Sequence, residues 1–403
     1  MSNALGVLKP LRRNIDTIIG EDILLQRLAS GEKLRIKYGV DCTSPDLHLG
    51  HAVNLWMMRH LQEQGHRVVF LLGDTTTRIG DPTGKSDTRP LFSPEAIDSN
   101  AAAFLEQVGM VLHTDPELFE VRRNSEWFDA MPITKLLSLF SMVTHAQLMS
   151  RDMFRDRIAK GREIALHELI YPVLQGYDSF AMDSDLTIVG SDQLFNEMMG
   201  RHYQQRLGTE PQALITTRIT PGLDGGPKQS KSIGNYVALL DSPREKFGKL
   251  MSLPDDLVEV WAAAYTDLSD ADVDVLAAEI KKTGSGARDA KLALAREVVR
   301  RYHGADIATR SRDEFIALFS QRQTPEDMPT VVSTGQSMMP LDLGRLVRPD
   351  LSNNALRRLL AQKAIRIDGV VIRDEHAPID MAHDVVLRMG SRSWWRILAA
   401  NER

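Results

Sequence analysis

A chain of 403 residues is long enough for two or three domains, and its 43% hydrophobic content suits sizeable buried cores. A single cysteine, Cys42, excludes an intrachain disulfide and fits a reducing cytoplasm; no apolar run reaches the ~20 residues that span a bilayer, and the first residues lack the apolar stretch of a secretion signal. The net charge of −5 argues against a polyanionic partner when taken whole, yet residues 341–403 hold eleven Lys and Arg against eight Asp and Glu, which leaves −8 for the first 340 residues. Charge alone fits either a tail that touches a polyanion or a solvated surface whose sign varies. In chain order, residues 34–41 (LRIKYGVD) and 67–74 (RVVFLLGD) read as strands separated by the apolar-periodic stretch 49–64. Strand, helix, strand in that order predicts a parallel sheet with crossover helices. Further strands are expected at 119–123, 186–189 and 213–219, so that the first 235 residues form one α/β domain. From 242 to 301 the composition is nearly all helix-forming, 321–340 (QRQTPEDMPTVVSTGQSMMP) reads as a linker, and the last sixty residues form a small α+β unit. No internal repeat is visible.

The chemistry is concentrated in short motifs. Residues 41–51 (DCTSPDLHLGH) run from the first strand into the next helix, where a parallel sheet presents ligand sites at its carboxyl edge. Gly50 allows a flat ligand to approach the backbone, and His48 and His51 are spaced to donate to phosphate oxygens from the first helical turn. The same spacing also fits a pair of capping or surface histidines. Much later, Lys228-Gln-Ser-Lys231-Ser is preceded by Gly222, Gly225 and Gly226 and followed by Gly234. Two lysines on a hinged loop suit closure over a triphosphate, although a solvated loop has the same composition. In residues 167–178 (HELIYPVLQGYD), Tyr171, Gln175 and Asp178 share one helix face, a polar stripe able to hold an ammonium and a hydroxyl. An ordinary amphipathic helix is the alternative. Residues 79–89 (IGDPTGKSDTR) lack the Walker spacing, which excludes a P-loop kinase or GTPase.

Taken together, the two distant motifs resemble the signatures of class I aminoacyl-tRNA synthetases, usually written HIGH and KMSKS, with Gln229 in place of the methionine. The helix 167–178 and the following Gly190-Ser-Asp-Gln193 stretch are similar to the tyrosine-binding region of bacterial tyrosyl-tRNA synthetases. The resemblance covers nearly the whole chain. It implies a Rossmann-like catalytic domain over 1–235, with a dimer-forming insertion near 124–157. A helical anticodon-side domain over 236–320, the 321–340 linker and an S4-like RNA-binding domain over 341–403 would follow.

By the same resemblance Tyr171, Gln175 and Asp81 hold the substrate ammonium, Asp178 meets its hydroxyl, Gln193 places its carboxylate and Asp192 binds the ribose. Asp41, Gly50, His51, Asp192 and Lys231 would form the ATP site. Thr43 and His48 would meet the γ-phosphate end, and Lys85, Arg89, Lys228 and Lys231 the developing charge. Arg357, Arg358, Lys363 and Arg366 would meet RNA phosphates. Lys37 stands where well-known members carry a tyrosine that shares the substrate hydroxyl; its ammonium is expected either to salt-bridge Asp178 or to turn outward. The implied reaction is tyrosine activation by ATP, with magnesium accompanying the nucleotide, then transfer to tRNA(Tyr) by a cytoplasmic homodimer. No tightly bound cofactor, metal-ligating set or membrane partner is expected. A paralogue that activates a tyrosine analogue or resists an inhibitor, or an RNA-binding or splicing protein on the same scaffold, would share these features.

Overall fold

The computed structural model describes residues 2–43, 46–81, 92–231, 233–282, 285–320, 328–390 and 393–399. It divides into two compact units, residues 1–312 and 313–403. In the first unit six strands form one sheet: β1 Ile15–Ile19, β2 Arg35–Val40, β3 Arg67–Leu72, β4 Phe119–Arg123, β5 Leu186–Gly190 and β6 Ala213–Thr217. Their order is β1-β6-β5-β2-β3-β4; β1 runs antiparallel to β6 and every other pair is parallel. The five parallel strands lie where the sequence predicts them, including the charged edge strand β4 (FEVRR). The edge strand β1 (IDTII) escapes a reading by pattern because its outer residues are half-exposed and it gains its place only by pairing with β6.

β3 is buried from Val68 to Leu72, as expected of a strand covered on both faces. The chain passes β2, β3, β4 in one direction and β5, β6 in the other, so the connections leaving β2 and β5 diverge and open a crevice at their carboxyl ends. The Leu49–Gln62 helix covers this region with Leu49, Ala52, Leu55 and Met58 fully buried. The Leu166–Ala181 and Leu194–Arg206 helices pack closely because Gly176 has no side chain. A Cβ there would stand 2.8 Å from Met199 Cγ and 2.9 Å from Tyr203 Cδ2. Gly176→Ala is therefore expected to cost about 1–3 kcal/mol of stability through forced separation of the two helices. Urea unfolding measures it, and an unchanged midpoint would mean that the pair yields without strain.

The stretch 242–301 carries the helices Pro243–Met251, Val258–Tyr265, Asp270–Ile280 and Gly286–His303. Ser242 with Glu245, and Ser269 with Asp272, form capping boxes that start two of them. No described helix is long and apolar enough to cross a membrane.

In the second unit, five strands make a separate sheet: Thr330–Val332, Ile365–Ile367, Val370–Val371, Val385–Met389 and Ser393–Leu398. Leu343, Val347, Leu356, Leu360, Ile365, Leu387 and Ile397 form its core beneath the helices Pro340–Val347 and Asn353–Ala361. The turn at Asp368 and Gly369 has positive φ at both residues (47° and 82°), the geometry a two-residue hairpin requires. Within 321–340, expected as a linker, Thr330–Val332 pairs in parallel with Ser393–Leu398. Its short β-branched run is masked in the sequence by the Pro, Ser and Gln around it.

Candidate active site

At the carboxyl ends of β2 and β5 lies a cavity of about 360 Å³. It gathers Lys37, Asp41, Thr43, His48, Gly50, His51 and Asp81 from the first part of the sheet. Tyr171, Gln175, Asp178, Asp192, Gln193, Lys228 and Lys231 arrive from the later elements. Lys85 and Arg89 lie outside the described residues, as do Ser44, Pro45 and Ser232 of the two motifs.

One end of the cavity is built by the histidine and lysine motifs. They are tied together by backbone: Leu49 N–H donates to Val237 O (3.0 Å) and Leu239 N–H to Leu47 O (2.9 Å). A single antiparallel bridge joins His48 to Ala238. His48 caps the Leu49–Gln62 helix, and His51 Nδ1 accepts from the His48 N–H at 3.3 Å. The His51 ring thus does act as a cap, and in doing so it fixes its own proton on Nε2. Their rings lie 3.8 Å apart between centroids, and a Cβ on Gly50 would stand 3.0 Å from the His48 ring, so glycine is what lets that ring fold in. Burial holds both imidazoles neutral, His48 at about 3 and His51 well below its ordinary value, with Lys231 and Lys228 pushing the same way. Both are therefore N–H donors that need no charge.

Gln229, at the position of the expected methionine, is buried and reaches Tyr265 OH through Nε2 (2.6 Å), while its Oε1 accepts from Val237 N (3.4 Å). Tyr265 also bonds Thr220. The amide thus anchors the lysine loop to the Val258–Tyr265 helix by hydrogen bonds. Either side of it the two lysines diverge: exposed Lys228 approaches Asp192 Oδ2 at 3.4 Å, and Lys231 Nζ lies 5.7 Å from the Phe104 ring centroid. Loss of hydration lowers Lys231 to about 8, opposed only by Asp46.

The other end is a buried polar floor. Asp178 Oδ1 accepts from Trp127 Nε1 (2.9 Å) and Oδ2 from Asn124 Nδ2 (3.4 Å). Burial raises this carboxyl to about 8 against the pull of Lys37 and of those two donors. Lys37 neither turns outward nor takes Asp178 as its direct partner. Its ammonium meets Glu197 Oε2 at 2.8 Å and Ser179 Oγ at 2.7 Å, with both charged side chains 2% exposed. Between the ends, Tyr171 OH donates to Asp41 Oδ2 (3.0 Å), and Thr76 Oγ1 donates to Asp41 Oδ1 (2.9 Å) while accepting from Asn124 (3.0 Å). Gln193 Nε2 donates to Asp81 Oδ2 at 2.8 Å, and Gln175 Nε2 to Glu197 Oε1 at 2.8 Å.

Asn124, Trp127, Thr76 and Glu197 are the site residues that sequence reasoning passed over. Asn124 and Trp127 open the 124–157 segment expected to serve subunit contact; the usable signal was their place just beyond the carboxyl end of β4. Glu197 looked like one more charge on a helix, although it sits four residues beyond Gln193.

In the second unit the Asn353–Ala361 helix turns Leu356 and Leu360 inward and leaves Arg357 and Arg358 exposed. Lys363 and Arg366 are exposed as well. Arg357 pairs with Glu375 at 2.7 Å, and Arg366 Nη1 lies 3.4 Å from Gly369 O.

Residues 29–320 match the family described as tRNA synthetases class I (W and Y). Tyrosine--tRNA ligase of Thermotoga maritima is 40% identical over 389 residues, spanning 96% of either chain. The same-named protein of Bordetella avium is 40% identical over 394 residues, 97% of this chain and 95% of that one. Among solved structures, the L-tyrosine complex of Archaeoglobus fulgidus tyrosyl-tRNA synthetase matches with a TM-score of 0.59 and 22% identity, over 77% of this chain and 99% of that one. A truncated Aspergillus nidulans mitochondrial tyrosyl-tRNA synthetase gives 0.63 and 23%, over 78% and 94%. At those identities the structural likeness speaks for the fold.

Proposed function

The chain belongs to the class I tRNA synthetases of the tryptophan and tyrosine group and is an aminoacyl-tRNA ligase, and from that premise we propose that its amino acid is tyrosine. The observation that carries the choice is Asp178, a buried carboxyl held by Trp127 and Asn124 at the end of the cavity away from the histidines. A phenol both donates and accepts, so it can pair with this carboxyl whether neutral or ionised; a phenyl ring does neither and would leave it one partner short, with only Trp127 and Asn124. Relatives 40% identical over nearly their whole length and named tyrosine--tRNA ligase support the same choice.

In the first step a tyrosine carboxylate oxygen bonds to the α-phosphorus of ATP. The bridging α–β bond breaks, and its electron pair leaves with pyrophosphate. Tyr171, Gln175 and Asp81 would orient the ammonium and Gln193 the carboxylate. Asp192, Asp41 and Gly50 would seat the adenosine side. Thr43 and neutral His48 would donate toward the γ-phosphate end, and His51 through its Nε2–H toward the ribose. Lys228, Lys231, Lys85 and Arg89 would neutralise charge as pyrophosphate departs. Catalysis of this kind is positioning and charge stabilisation, with no covalent enzyme intermediate. Magnesium would enter with the nucleotide as part of the substrate. In the second step the terminal ribose hydroxyl of tRNA(Tyr) attacks the adenylate carbonyl and AMP leaves. Arg357, Arg358, Lys363 and Arg366 would meet the tRNA backbone from an S4-like unit. A homodimer is part of the proposal: on the Ile133–Phe140 helix, Ile133 and Leu137 are 66% and 57% exposed one turn apart, an apolar stripe suited to a second copy. The working compartment would be the cytoplasm.

ATP–pyrophosphate exchange tests the assignment. Exchange should run fastest with tyrosine; faster exchange with phenylalanine or tryptophan would mean that Asp178 does not receive a substrate hydroxyl. No exchange with any amino acid would leave an RNA-binding protein on the synthetase scaffold.

A further inference from the structure

We propose that the Lys37–Glu197 ion pair determines side-chain specificity, Glu197 holding the lysine ammonium off Asp178 so that this carboxyl stays open to the substrate hydroxyl. The inference rests on the tyrosine reading and adds to it the group that keeps the pocket usable. Lys37 lies on β2, fully buried, at the floor of the cavity. An ammonium without hydration must find a carboxylate. Among the described residues lining the cavity, two carboxylates are buried, Asp178 and Glu197. The Lys37 charge already acts on Asp178, and Ser179, which takes one of its N–H groups at 2.7 Å, is the next residue along the same helix. Without Glu197 the nearest anchor for the ammonium is therefore Asp178 itself.

Glu197 is built to hold the cation. It lies on the Leu194–Arg206 helix, 2% exposed, and accepts from Lys37 on both oxygens (2.8 and 3.0 Å), from Gln175 Nε2 on Oε1 (2.8 Å) and from Gln212 Nε2 on Oε2 (3.1 Å). Three partners, on β2, on the Leu166–Ala181 helix and in the loop before β6, fix its position, and the bond to Gln175 gives it a second effect. With Nε2 donating to Glu197, the Gln175 oxygen is the end left to accept, and it takes Asn196 Nδ2 at 2.9 Å. Glu197 and Lys37 are positioning residues in this scheme: they act through Asp178 and Gln175.

The test uses the full chain and compares tyrosine- and phenylalanine-dependent exchange in three proteins: wild type, Glu197→Gln and the neutral pair Lys37→Met with Glu197→Gln. Glu197→Gln should raise KM for tyrosine and reduce the tyrosine-to-phenylalanine ratio of kcat/KM by about tenfold or more, the cost of engaging one buried charge-assisted contact elsewhere. KM for ATP should stay within about twofold, a split that general loss of structure would not produce. The neutral pair should recover most of the ratio, because no ammonium remains to occupy Asp178. An unchanged ratio in Glu197→Gln overturns the proposal, and so does a neutral pair as indiscriminate as the single variant. If Glu197→Gln gives no cooperative unfolding transition, Glu197→Asp, whose shorter side chain draws the carboxylate back from the ammonium, takes its place: a lowered tyrosine-to-phenylalanine ratio that the neutral pair restores supports the proposal, and an unchanged ratio overturns it. Wild type that ignores tyrosine would refute the functional reading and not the ion pair.

Discussion

Lys231→Ala is expected to slow adenylate formation by about 10²–10³-fold while leaving tyrosine binding within about twofold. The reason lies in where and when the charge is needed. Lys231 lines the same cavity as the histidine motif, half-buried beside Phe104, and has lost enough water that its ammonium falls to about 8. A poorly hydrated cation gains most when negative charge grows next to it, and on the proposed path that happens as the α–β bond breaks. Tyrosine alone brings no such charge. Single-turnover adenylate formation and equilibrium binding of tyrosine separate the two effects; equal losses in both would make the loop structural. The same residue sets a pH limb. Raising pH through about 8 removes the proton and with it the positive charge, so kcat/KM for ATP should fall on the alkaline side of that value. Lys231→Arg, which stays charged, should remove this limb, and a limb that persists in the arginine variant would point to another group.

Asp178→Asn carries the other large effect. It should lower the preference for tyrosine over phenylalanine by about one to two orders of magnitude, with ATP binding preserved, because the phenol loses a buried partner able to pair with it protonated or ionised and an amide tolerates a ring without a hydroxyl better. Exchange kinetics with both amino acids measure it; a retained preference would shift recognition to Trp127, Asn124 or Lys37. A stability consequence follows from burial. The folded-state carboxyl titrates at about 8, above its ordinary 3.8, so the folded protein holds a proton that the unfolded chain releases across that window. Its contribution is fully present below about pH 4 and is lost as pH rises through about 8. The ligand-free wild type should therefore lose stability over this range relative to Asp178→Asn, which has nothing to titrate. Chemical unfolding of the two proteins at several pH values gives the comparison, and parallel curves would contradict it.

Much of this protein is legible in one dimension. β3, β5 and β6 follow from apolar runs that are buried on both faces, and the carboxyl-edge location of the site follows from parallel topology. The helix face of Tyr171, Gln175 and Asp178 follows from helical spacing, and those three do line one cavity with the histidine and lysine motifs. The hairpin at Asp368 and Gly369 was equally readable, because only certain residues accept positive φ. These features depend on local geometry or on a period, and both are written along the chain.

What only the tertiary structure decided is pairing. A lone Glu197 or Lys37 carries no mark of its partner, since the two lie on different elements 160 residues apart and meet only when the helix docks on the sheet. Asn124 and Trp127 reach Asp178 for the same reason, and Gln229 finds Tyr265 across a fold that no spacing rule anticipates. Of the two histidines, read as donors or as caps, His51 caps the helix and both remain available as donors, because Gly50 lets one ring fold over the other while burial keeps each neutral. Composition and periodicity report how much of a residue will be buried. Which polar atom satisfies which other is settled by long-range contact in a medium where an unpaired charge is costly, and that is why the partner of Lys37 came from the fold alone.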